Sequence, residues 1–139
     1  MYSPRITTGL ILAGLLLAFM TPPTNEQYGQ RLARGAWGGL HINLVAGARS
    51  ATVEYDCAHG TIEGPLRFDK QGKFEWRGTF TPERGGPIRA DEESRAQPAT
   101  YSGEIKDATM TLTLKVSGSD ETETFTLEKG KQGNLFKCK

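Results

Sequence analysis

Residues Thr109 to Val116 read TMTLTLKV. Met110, Leu112, Leu114 and Val116 occupy every second position, and Thr109, Thr111, Thr113 and Lys115 fill the places between. Successive side chains of an extended chain point to opposite faces, so period-two alternation describes a strand with one dry face and one wet face. A helix would need apolar residues three and four apart, which this stretch does not offer.

The same pattern recurs on both sides of it. Upstream, Leu40, Ile42 and Leu44 alternate with His41 and Asn43, and Ala51, Val53, Tyr55 and Cys57 alternate with Thr52, Glu54 and Asp56. Phe74, Trp76, Gly78 and Phe80 stand against Glu75, Arg77 and Thr79, while Phe125 and Leu127, then Phe136 and Cys138, carry the pattern to the end. Short turn-forming stretches lie between these runs: Asp69-Lys70-Gln71-Gly72, Lys106-Asp107-Ala108, Ser117-Gly118-Ser119-Asp120 and Lys129 to Asn134. Glycine, aspartate and asparagine tolerate the backbone conformations that tight hairpins require. About eight strands joined by short loops predict an all-β domain, an antiparallel up-and-down barrel or sandwich.

Residues 1–24 have a different character. They carry a single charge, Arg5, followed by the apolar run GLILAGLLLAFM from Gly9 to Met20. A basic start and a short apolar stretch are the layout of a secretory signal. Twelve helical residues span about 18 Å against a hydrocarbon core of about 30 Å, so a signal peptide fits better than an uncleaved anchor. No cysteine lies near the end of the run, so a lipid-modified N-terminus is not expected. The expected organisation is a signal over 1–24, a linker over 25–34 and a β-domain over 35–139. Deleting Thr21–Arg34 is expected to remove little core. The mature chain is expected to be periplasmic or secreted, with no membrane attachment.

Of 17 basic residues, removal of the signal takes one and no acid, leaving 16 against 16 acidic residues. Arg31, Arg34, Arg84, Arg89 and Arg95 are scattered among acids and glycines. A neutral chain without a basic cluster has no general attraction to nucleic acid or to an anionic membrane.

Two cysteines, Cys57 and Cys138, in an exported chain form one disulfide. Their loop of about 80 residues gives a chain-entropy stabilisation of about 4.5 kcal/mol. The stretch EYDCAHG, Glu54 to Gly60, also holds the parts of other chemistries. A nucleophilic thiol needs a base within reach, and Asp56 with His59 could serve a hydrolase. Cys57, in phase with Val53 and Tyr55, is instead expected to face the core. Cys57, Cys138, His41 and His59 make up the inventory of a Cys2His2 zinc site. Their spacing matches no compact zinc module, and oxidation after export competes for the thiols. No metal, cofactor or catalytic residue is therefore expected. His59 is expected to cap a strand end.

Pro82 to Pro98, PERGGPIRADEESRAQP, breaks the alternation. It could hold an edge strand at Pro87–Ala90 and a polar helical turn at Asp91–Ala96. A long charged loop on a rigid scaffold is a place for binding.

Gly35-Ala36-Trp37, a Gly-x-Trp opening the first strand, resembles the N-terminal signature of lipocalin-type barrels. That resemblance implies a Trp closing one end of the barrel. The layout is also similar to small exported bacterial protease-inhibitor barrels. The chain lacks the lipocalin length and C-terminal helix, and its cysteine spacing differs from that of the inhibitors. Trp37-Gly38-Gly39-Leu40-His41, Tyr55 to Gly60, Gly85-Gly86-Pro87, Tyr101-Ser102-Gly103, Met110 to Thr113 and the late cysteine resemble a group of small predicted-secreted bacterial proteins, which implies no particular chemistry.

The expected function is a non-catalytic binding module. It would take a small apolar ligand in the barrel mouth or a protein on the Pro82–Pro98 loop, with Trp37, Arg84 and Arg89 as ligand contacts. The rival expectation is an inhibitor of exported proteases, threading Thr24–Arg34 into a cleft.

Overall fold

The structure, a computed structural model, describes residues 29–84, 87 and 95–139. The expected signal, Arg89, and most of the edge strand and helical turn expected between Pro87 and Ala96 lie outside these residues.

The described residues form strands and no helix: β1 (Gln30–Arg31), β2 (Gly35–Gly39), β3 (Ile42–Ala46), β4 (Ser50–Tyr55), β5 (Ala58–Glu63), β6 (Arg67–Phe68), β7 (Lys73–Pro82), β8 (Gln97–Lys106), β9 (Thr109–Val116) and β10 (Thr122–Lys129). Eight of them close a barrel in the order β10-β2-β3-β4-β5-β7-β8-β9. Every neighbouring pair is antiparallel and, apart from the closing pair of β10 with β2, consecutive in the barrel's chain order, an up-and-down meander as expected. Closure removes the free edges that an open sheet would expose.

The alternation places the core. Met110, Leu112 and Leu114 of β9 lie opposite Leu127, Phe125 and Glu123 of β10, and the three apolar β9 side chains are buried. Their threonine neighbours face water, where Thr113 and Thr124 share a hydroxyl hydrogen bond of 3.0 Å. Large side chains fill the interior: Trp37, Tyr55, Phe74, Trp76, Tyr101 and Phe125 are all buried, with Phe74 and Trp76 stacked at 3.8 Å.

The remaining strands, β1 and β6, form a two-stranded ribbon against the barrel end where β5 leaves and β7 begins. Leu32 and Leu66 beside it are buried, and Trp76 Nε1 donates to the Arg67 carbonyl at 2.8 Å. Residues 30–32, expected to be linker, are thus part of the domain. A period of two cannot be recognised in a strand of two residues.

Three further expectations need correction. Leu40 is not a core strand residue; with His41 it forms the two-residue turn between β2 and β3, and it is 60% exposed. Cys57 does not face the core either. Strand β4 ends at Tyr55, Asp56 and Cys57 form the next turn, and Cys57 is exposed. Phe136 and the exposed Cys138 end no strand, because residues 131–139 form a strap outside the barrel whose β-type pairing with it is an isolated bridge between Asn134 and Leu40.

The strap crosses the outside of β2 and β3. Gly130 N–H donates to the Ala36 carbonyl, Asn134 N–H to the Gly39 carbonyl, and His41 N–H to the Asn134 carbonyl. Gly133 N–H donates to Asn43 Oδ1 at 2.9 Å. A Cβ on Gly38 would stand 2.3 Å from the Gln132 carbonyl carbon, so only glycine lets strap and strand meet here.

Candidate binding site

The meander brings the β2–β3 turn, the β4–β5 turn, the end of β7, the start of β8 and the β9–β10 turn to one end of the barrel, opposite the β1–β6 ribbon. The chemistry-bearing residues of EYDCAHG gather here. Their arrangement has two parts, a polar clamp outside and an aromatic layer inside.

The clamp holds the strap. The Cys57–Cys138 disulfide, expected from composition, is present, with a Cα separation of 5.3 Å. Asp56 binds on both sides: its Oδ1 accepts the Phe136 N–H at 2.8 Å, and its Oδ2 lies 2.6 Å from His41 Nδ1. The Phe136 N–H, and then the His41 contact, hold the Asp56 carboxyl below the usual carboxylate range. His59 caps no strand end; its Nδ1 lies 2.8 Å from Glu83 Oε1 across the β5–β7 pair. That contact, helped by the charge of Lys137, lowers the Glu83 carboxyl as well. Lys137 Nζ donates to the Tyr55 carbonyl at 3.0 Å and lies 3.6 Å from Glu83 Oε2.

The two imidazoles therefore serve different carboxylates. Asp56 and His59, which a hydrolase would pair, belong to separate contacts. The two sulfurs are bonded to each other, so a Cys2His2 ligand set is not assembled. No group of three His, Cys, Asp or Glu converges in a way that could hold a metal ion, among the described residues.

Inside the same end, the ring of Tyr55 lies 5.5 Å from Phe80 and 5.5 Å from Phe125. Tyr101 reaches from β8 toward β5 and β7, and its hydroxyl donates to the Thr79 carbonyl at 2.7 Å. A Cβ on Gly60 would stand 2.3 Å from that hydroxyl, which explains the glycine in this strand. Burial pushes both phenols above their ordinary range. For Tyr55, the neighbouring Tyr101 and the charge of Glu123 add to it.

The Tyr55 hydroxyl is buried beside that of Tyr101, whose own proton goes to the Thr79 carbonyl, and among the described residues it meets no partner in full hydrogen-bonding geometry. A buried hydroxyl left unpaired costs about 1–3 kcal/mol. Toward solvent the layer becomes mixed. Phe80 and Val116 are half-buried, while Gln97 and Glu123 are exposed at inward-facing register positions, opposite Phe80 and the buried Leu114.

Of the residues expected to contact a ligand, Trp37 is 3% exposed and packs at the seam, opposite Leu44 and Lys129. Arg84 is exposed just after Glu83, and Arg89 lies outside the described residues. Tyr55, Phe80 and Glu123 carry the inner layer instead. Sequence alternation does place all three on inward faces, but an apolar strand face gives no sign of an unpaired hydroxyl.

These features define an antiparallel eight-stranded β-barrel with an external C-terminal strap fastened by a disulfide. The chain matches no protein-family model, no curated protein and no solved structure.

Proposed function

We propose that this protein is an exported, non-catalytic binding module that takes a small, largely apolar ligand at the hairpin end of its barrel. The observation that carries this reading is the orphaned Tyr55 hydroxyl, on a ring packed against the half-buried Phe80. Buried polar groups are retained without a partner where function needs them, since replacement by phenylalanine would relieve the cost. A ligand polar atom supplies the missing partner, and the surrounding rings supply apolar contact. The exposed disulfide is compatible with export into an oxidising compartment.

The test is a titration of the oxidised domain with a small aromatic alcohol, followed by NMR shifts of the Phe80, Val116 and Phe125 resonances. Saturable shifts confined to this end are expected. Tyr55→Phe should weaken the affinity by about tenfold, the worth of one buried hydrogen bond. Shifts spread over the outer face, or affinity unchanged in Tyr55→Phe, would refute the reading.

A further inference from the structure

Building on that reading, we infer that the ligand is a small organic cation, an ammonium group on an aromatic or aliphatic body, and that Glu123 is the residue that selects it. Glu123 pairs with Leu114 in the β9–β10 register and shares its face with Phe125 and Leu127, both buried. Its carboxylate thus stands on the inward face at the rim, while its neighbours Thr122 and Thr124 face outward.

Among the described inward-facing strand residues of this end, Glu123 is the one that carries a charge. The others are Ile42, Tyr55, Ala58, Phe80, Pro82, Gln97 and Val116. An acid on its own would be an ordinary solvated rim residue. Here it shares its strand face with Phe125, one of a layer of three rings with Tyr55 and Phe80, and that layer holds a buried hydroxyl unpaired among the described residues. Ring faces carry negative potential, and a carboxylate beside them adds to it, so the combination favours a cation. The phenol oxygen of Tyr55 has lone pairs to accept an ammonium N–H. An anionic ligand would meet the opposite: a rim carboxylate, ring faces, and no cation among the described inward strand positions of this end.

The inference is tested with three probes sharing one body: 3-phenylpropylammonium, 3-phenyl-1-propanol and 3-phenylpropanoate. Each is titrated into the oxidised domain by calorimetry and NMR at low and at physiological salt. The ammonium should bind about fivefold or more tighter than the alcohol, from one ion pair and ring contact together, and the carboxylate should bind weakest. Raising the salt should shrink that ratio, and E123Q should collapse it toward one. Equal affinity of ammonium and alcohol in the parent protein, or a ratio untouched by E123Q, overturns the cation inference while leaving the binding site in place. Failure of all three probes to bind at millimolar concentration overturns both the inference and the function on which it rests.

Discussion

Tyr55 and Tyr101 have the same side chain, both buried in one barrel, yet loss of their hydroxyls should have opposite effects. Tyr101→Phe removes the donor that the Thr79 carbonyl accepts at 2.7 Å. In the same pair of strands the facing Thr61 N–H donates to the Thr79 hydroxyl oxygen at 3.3 Å. The expected loss is about 1–3 kcal/mol, one hydrogen bond plus a buried acceptor left short. Tyr55→Phe removes a hydroxyl that has no partner, so the same desolvation term is relieved. The ligand-free protein should gain about 1–2 kcal/mol. Ring packing against Phe80 and Phe125 is kept in the variant, so no cavity term enters. The two variants should therefore differ by about 2–5 kcal/mol under identical conditions. Equilibrium urea unfolding of the oxidised protein measures this, with the buried Trp37 and Trp76 as fluorescence reporters. A Tyr55→Phe variant less stable than the parent by about 1 kcal/mol or more would show that the hydroxyl is satisfied and would remove the ground for a ligand there.

Gly38→Ala should loosen the strap, since the new Cβ would meet strap backbone at 2.3 Å; faster amide exchange over residues 131–138 with an intact barrel is expected, and unchanged protection refutes the crossing. Cys57→Ser and Cys138→Ser should each cost about 2–5 kcal/mol and the double variant little more, because all three break one bond; additive losses in chemical denaturation would contradict this. Acid should release the strap: Asp56 is lowered in the folded state, so below about pH 4 the unfolded chain binds a proton that the folded chain does not, and stability falls as pH falls. Protection of the Phe136 amide followed by NMR from pH 6 to pH 2 should decline in that window, and an identical decline in Asp56→Asn would assign it elsewhere. A chain beginning at Gly35 should lose about 2–4 kcal/mol relative to one beginning at Gly29, because it lacks buried Leu32 and the β1–β6 pairing; equal thermal stability of the two would refute the placement of that ribbon.

The sequence by itself determined the class of the fold and the facing of most residues. Alternation is a local property, set by the two-residue repeat of an extended chain, so TMTLTLKV identifies its buried side without knowledge of any partner. The disulfide was legible for a similar reason: with two cysteines, pairing needs no geometry to be guessed. The turns show where local reading stops. Asp69-Lys70-Gln71-Gly72 announces itself, with Gly72 at positive φ and Asp69 Oδ1 accepting the Gln71 and Lys73 N–H groups. The Leu40-His41 turn does not, because its positive-φ residue is a histidine at 68°. That conformation is held by Asp56, fifteen residues on, and by the Asn134 carbonyl of the strap. The two glycines just before the turn serve close backbone approach by Gln132 and Thr126 instead. Only the tertiary structure decided that β10 closes on β2, through the two residue pairs Glu128–Gly38 and Lys129–Trp37, and that the last nine residues strap the outside. The same holds for the site. Whether a tyrosine hydroxyl is paired, and whether an inward glutamate stands over open rim or packed core, depends on the strands opposite, and those contacts join residues distant in the chain.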